Sequence, residues 1–164
     1  MATNLKNLSS YNKNTIPSAE EMHFGIVVSE WNSEITESLL QGAVDALIEN
    51  GAKTDNITIK YVPGTYELAL GAQYLLEHAD VDTVLCLGCV IQGETRHFDF
   101  ICNAAAQGIM QVGLEFSTPV IFGVITSENM EQAKDRSGGK HGNKGVEAAI
   151  TAIKMVYLEN ELNF

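Results

Sequence analysis

The chain has 164 residues, 45% of them hydrophobic and 19% charged, a globular mix sized for one domain. Its formal net charge of -11 argues against nucleic acid as the main partner, because phosphate-backbone binding needs a cationic surface, but it leaves room for a small phosphorylated ligand on a local basic patch. Three cysteines, Cys86, Cys89 and Cys102, make no secreted disulfide framework, residues 1–20 contain no apolar signal segment and no apolar run reaches the roughly 20 residues of a membrane span, so a cytoplasmic setting without membrane attachment is expected.

Residues 1–20 are rich in Asn, Ser and Lys and lack periodicity. They read as a flexible arm, either a free tail or one that orders against a neighbouring subunit, with the domain proper over 21–164. Phe24–Ser29 is a short apolar run and predicts a strand buried on both faces. A helical pattern occupies 33–50, where Ile35, Leu39, Ala43 and Leu47 recur every four residues, and Gly51 is placed to end it. Ile57–Val62 predicts a second strand, Pro63-Gly64 a turn, and Leu68, Ala69, Ala72, Leu75 and Leu76 a second helix.

Thr83–Ile91 is a third apolar strand, within which Cys86 and Cys89 read as core thiols rather than a redox pair. A loop and a helix over roughly 98–116 follow. Pro119–Ile125 is the fourth strand, with a short helix near 128–135 after it. A Gly- and Lys-rich loop, Ser137–Gly145, leads to a last helix with Val146, Ala149, Ile150, Ile153 and Tyr157 on one side. Strands alternating with helices imply repeated βαβ units and a four-stranded parallel sheet covered on both faces, a three-layer α/β/α sandwich.

In such sheets ligands bind beyond the carboxyl ends of the strands, which ranks the loops. The third strand end is the richest. Gly93 permits close backbone approach, Glu94 and Thr95 precede a helix so their N–H groups can point at an anion, and His97 titrates near neutral pH and can carry protons both ways. By position alone His97 is equally readable as a residue that packs or caps a helix start. The first strand end offers Trp31, the only Trp, either a stacking platform for a flat ring or a core or interface residue. The second offers Thr65, Tyr66 and Glu67, where Glu67 is either an acceptor for a polyol or a first-turn acid favoured by the helix dipole.

Arg136, Lys140 and Lys144 place three cations in nine residues of an acidic chain, either a solvated face or a phosphate grip in which Arg is bidentate and Lys a point charge. The loop is no Walker motif. His23, His78 and His141 lack metal-ligand spacing, so no metal site is expected. Met110, Met130 and Met155 read as core or interface filler.

Taken in order, Ser29-Glu30-Trp31-Asn32 with Ile35-Thr36, Val62 to Glu67, Gly88 to Asp99, Val120 to Gly123 and Arg136 to Gly145 resemble the 6,7-dimethyl-8-ribityllumazine synthase family of riboflavin biosynthesis. The resemblance runs from about Phe24 to the C-terminus. Its most specific part is Gly-x-Val-Ile-x-Gly-x-Thr-x-His-x-Asp at 88–99, joined by Gly-Asn-Lys-Gly at 142–145. It implies a flavodoxin-like fold and a transferase that condenses 5-amino-6-(D-ribitylamino)uracil with 3,4-dihydroxy-2-butanone 4-phosphate. Amine and ketone form an imine, phosphate is eliminated and the ring closes, with no cofactor or metal. The product passes to riboflavin synthase.

The resemblance also implies roles. Trp31 would stack on the pyrimidine, a place the family often gives to Phe. Thr65, Tyr66 and Glu67 would hold the ribityl chain and ring edge, and Cys89, Val90 and Ile91 would line the pyrimidine pocket. Glu94 and Thr95 would offer N–H groups to the phosphate, Arg136 would bind it by its side chain, and His97 would shuttle protons. Phe122 and Lys144 would complete the pyrimidine side. In the family the site lies between adjacent subunits of a pentamer, so Phe122, Arg136 and Lys144 would come from the neighbour. Some members build a shell of twelve pentamers, and the loop here resembles theirs, while the arm would add a strand to a neighbouring sheet.

Two departures stand out. Gln92 occupies a place where Arg is common, and Glu94 one where a small residue is common. An acid beside a phosphate is unfavourable unless its side chain points away, so the direction of Glu94 matters. The competing class is a non-catalytic lumazine- or flavin-binding shell protein of the same fold, which would not need His97, Arg136 and Lys144 together.

Overall fold

The computed structural model describes residues 7–162. Four strands, β1 (Phe24–Ser29), β2 (Ile57–Val62), β3 (Thr83–Ile91) and β4 (Val120–Ser127), form one sheet in the order β2-β1-β3-β4, and every pairing in it is parallel. β1 is buried along its whole length and β3 through Cys89, as expected for strands covered on both faces.

The helices divide between the two faces. α1 (Ser33–Glu49) and α5 (Lys144–Leu162) cover one; there Phe24, Ile26, Leu85 and Leu87 meet Leu39, Leu47, Ile150 and Ile153 in a continuous apolar cluster. α2 (Leu68–His78) and α3 (His97–Phe116) cover the other, where Val27, Cys86 and Val124 meet Leu68, Leu75 and Ile109. The result is the three-layer sandwich expected of alternating strands and helices. α1 ends where Gly51 takes φ 102°, a left-handed turn that glycine adopts without strain. A short helix α4 (Met130–Arg136) follows β4.

Two expectations are corrected. The Gly-rich stretch after α4 is not open loop, since β5 (Ser137–Gly139) and β6 (Gly142–Asn143) form an antiparallel hairpin and α5 begins at Lys144. Asn143 pins that hairpin to α1, its Nδ2 donating to the Ser38 carbonyl at 2.8 Å. On α5, Tyr157 does not share the buried side with Ala149, Ile150 and Ile153; Val156 takes that place and Tyr157 is exposed. Met110, Met130 and Met155, expected as core or interface filler, are exposed in the single chain, which leaves the interface alternative.

Residues 1–6 of the expected arm lie outside the described residues. From Asn7 onward the segment lies along its own domain. The Leu8 N–H donates to the His141 carbonyl at 2.7 Å, the Ser9 Oγ accepts from the Asn143 N–H at 2.9 Å, and Ala19 is fully buried beside the end of α1. Side chains and backbone make these contacts without apolar periodicity, which is why composition alone reads the segment as loose.

Candidate active site

The register brings the carboxyl ends of three strands to one side of the sheet. Beyond the end of β1 the pairing continues, as the Glu30 N–H donates to the Val62 carbonyl at 2.9 Å and the Trp31 N–H to the Pro63 carbonyl at 3.2 Å. The Trp31 loop and the Pro63-Gly64 turn are therefore one structural unit. β3 is longer than its neighbour β1 and carries Cys89, Val90 and Ile91 past it. A cleft of about 660 Å³ opens between these ends and the first turn of α3.

Nine of the thirteen residues expected at a site line this cleft. Trp31 comes from the first strand end and is 73% exposed. Thr65, Tyr66 and Glu67 form a single 3-10 turn ahead of α2. Cys89, Val90 and Ile91 form the floor, and Thr95 and His97 the far wall. His97 is the first residue of α3; its N–H donates to Thr95 Oγ1 at 3.3 Å, which fixes the start of the helix while the imidazole stays exposed.

Two local features shape the floor. Thr65 is 5% exposed and its Oγ1 has no hydrogen-bond partner. A buried hydroxyl left unpaired costs about 1–3 kcal/mol, so Thr65, a residue that lines the cleft, carries an unmet donor and acceptor. Gly88 faces it: a Cβ there would stand 2.8 Å from Thr65 Oγ1 and 2.9 Å from Leu68 Cδ1. A side chain at position 88 would have to displace Thr65 or Leu68, so glycine lets the turn close on β3 undisturbed. Burial pushes the Cys89 thiol up to about 12 and the Cys86 thiol higher still. Both therefore stay protonated near neutral pH and act as packing groups, as their apolar strand predicts.

Four expected residues do not join the cleft in the single chain. Glu94 is exposed and outside the lining. Phe122 projects from β4, the edge strand. Arg136 ends α4, and its Nη1 donates to the Gln132 carbonyl at 3.2 Å. Lys144 opens α5 and pairs with Glu147 Oε1 at 3.1 Å.

Residues not anticipated also line the cleft, namely Asn32, Phe98 and Ile101. Asn32 adopts φ 62°, and its Nδ2 donates to the Cys89 carbonyl at 2.9 Å. An Asn three residues past the end of a buried strand and directly before a helix is a usable signal for such a left-handed turn. Phe98 and Ile101 sit three apart on α3 and so share a face. Among the described residues no group of three or more His, Cys, Asp or Glu is placed to hold a metal ion, and no helix is long and apolar enough to cross a membrane.

A family model described as 6,7-dimethyl-8-ribityllumazine synthase matches residues 21–160. A protein of that name from Cytophaga hutchinsonii is 63% identical over 151 residues, covering 92% of this chain and 94% of its own length. Proteins of the same name from Christiangramia forsetii (54% identical, covering 100% and 98%) and Flavobacterium johnsoniae (55% identical, covering 98% and 85%) are similar along the chain.

Proposed function

The chain belongs to the 6,7-dimethyl-8-ribityllumazine synthase family, and from that premise we propose how its residues divide the work. It is a transferase of riboflavin biosynthesis that condenses 5-amino-6-(D-ribitylamino)uracil with 3,4-dihydroxy-2-butanone 4-phosphate, releasing phosphate and water. The named relatives support this reading over a non-catalytic shell protein.

The pyrimidine lies in the cleft, stacked on Trp31 and edged by the backbone of Cys89, Val90 and Ile91. The ribityl chain runs over the Thr65–Glu67 turn, where Glu67 accepts from its hydroxyls and Thr65 Oγ1 gains the partner it lacks. The ketone phosphate sits at the start of α3, on the N–H groups of Glu94 and Thr95 and in the favourable field of the helix N-terminus. His97 stands on the same turn and moves protons as the imine forms and phosphate leaves.

The observation that carries this assignment is the convergence of three strand ends and the first turn of α3 on one cleft. Phe122, Arg136 and Lys144 lie outside that cleft within one chain, and we assign them to the site of an adjacent copy in a pentamer. Self-association is favoured by a second groove of about 550 Å³, where Met110, Leu114, Met155, Leu158 and Leu162 present apolar surface between α3 and α5. Twelve such pentamers would close a shell, and the three free thiols fit a reducing cytoplasm. The product would pass to riboflavin synthase.

The test is turnover. Assembled protein mixed with both substrates should produce the fluorescent lumazine with release of inorganic phosphate. No product from intact assemblies would overturn the assignment, and sedimentation of the same sample reports pentamer, decamer or shell.

A further inference from the structure

We propose that Gln92 is a positioning residue for the phosphate-bearing substrate, holding the Gly93–Thr95 turn in the shape that presents its N–H groups. The proposal rests on the reading of that turn as the phosphate seat.

Gln92 follows the last residue of β3 and is itself anchored, its N–H donating to the Ser127 carbonyl at the end of β4 at 2.8 Å. Its side-chain Nε2 then reaches along the turn. It donates to the Gly93 carbonyl at 2.9 Å and stands 3.5 Å from the Thr95 carbonyl. One amide group thus spans both ends of the turn. Gly93 and Thr95 line the cleft, whereas Gln92 does not, so the grip is applied from behind.

The geometry of the peptide unit gives that grip a consequence. In a trans peptide the C=O and the following N–H point in opposite directions. Holding the Gly93 carbonyl towards the Gln92 side chain therefore turns the Glu94 N–H away from it, to the side on which the phosphate is proposed to sit. The Glu94 carboxylate is exposed outside the cleft lining. Residue 94 then serves the anion with its backbone while its charge stays clear. Gly93 needs such an outside hold, because a Cβ at that position would meet nothing within 4 Å; no packing restrains it, and glycine backbone left free loses the most conformational freedom on ordering.

A Gln92→Met variant tests this. Methionine matches the length of glutamine, carries no charge and has no N–H to donate. Gln92 is exposed, so the thermal midpoint of the assembled variant should not move. Loss of one net hydrogen bond predicts a KM for the butanone phosphate, and a competitive inhibition constant for inorganic phosphate, raised about fivefold. The KM for the ribitylaminouracil should stay parental. Gln92→Arg keeps donors within reach of both carbonyls, and its KM for the phosphate substrate should be parental or lower. A Gln92→Met enzyme with both KM values unchanged, or with both raised together, overturns the role of Gln92 while leaving the phosphate seat standing. If inorganic phosphate does not compete with the butanone phosphate in the parent enzyme, the seat itself is misplaced and the proposal falls with it.

Discussion

The side-chain amide of Asn32 donates to the backbone carbonyl of Cys89 at 2.9 Å, joining the loop after β1 to the floor of the cleft on β3. Asn32 holds this position at φ 62°, where a side chain with a short polar group is tolerated and most others are strained. Trp31, the proposed stacking platform, is the preceding residue, so its placement depends on this tether.

Asn32→Ala removes the hydrogen bond and adds left-handed strain, for an expected loss of about 2 kcal/mol of stability. Asn32→Gly keeps the turn and loses only the tether, about 1 kcal/mol. Both should raise the KM for the ribitylaminouracil. Denaturant midpoints and KM values check the pair; equal stability for Ala and Gly would remove strain from the account.

Thr65→Val replaces an unpartnered buried hydroxyl with a methyl of similar shape. The ligand-free protein should be as stable as the parent or more so, by about 1 kcal/mol, while binding of the ribityl substrate weakens. Calorimetric melting with and without that substrate separates the effects. A variant that is destabilised when empty would mean the hydroxyl has a partner after all.

His97 is exposed, and the hydrogen bond that fixes it at the start of α3 comes from its backbone N–H, so His97→Ala should fold normally. The rate of lumazine formation should fall about 100-fold, the low end for loss of one proton-transfer group. Stopped-flow fluorescence measures it, and a parental rate would take His97 out of the mechanism.

Burial raises the thiols of Cys86 and Cys89 above the ordinary value of 9.0. The folded state therefore holds protons that the unfolded chain gives up. That stability is present in full below about pH 9 and is lost as pH climbs towards 12, by up to about 1.4 kcal/mol per pH unit for each thiol. Melting temperatures at pH 8, 9 and 10 should fall more steeply for the parent than for the Cys86→Ala, Cys89→Ala double variant. Parallel curves would show that these thiols do not govern alkaline unfolding.

Three strands were legible to the residue, Phe24–Ser29, Ile57–Val62 and Thr83–Ile91, because each is a β-rich run closed by turn formers or a helix start. The hairpin at 137–143 was not, since Gly-rich sequence carries no period to read and its partners, Ser38 on α1 and Ser9 near the N-terminus, are far away in the chain. Strand-end logic found Trp31, Thr65 and His97 because topology alone dictates where those loops gather. It missed Asn32, whose role is a backbone conformation and one long-range hydrogen bond. Phe122, Arg136 and Lys144 were singled out by motif and charge, yet one chain gives them no place in the cleft.

That last point defines the central claim, that each site is made from two chains. In a ring built by one repeated contact every site receives its halves from different neighbours. His97→Ala and Arg136→Ala should each be nearly inactive alone. Unfolded together and reassembled in equal amounts, they should form lumazine at about one quarter of the parental rate, because about one site in four then draws both intact residues. A reassembled mixture no faster than the two separate variants would contradict the shared site.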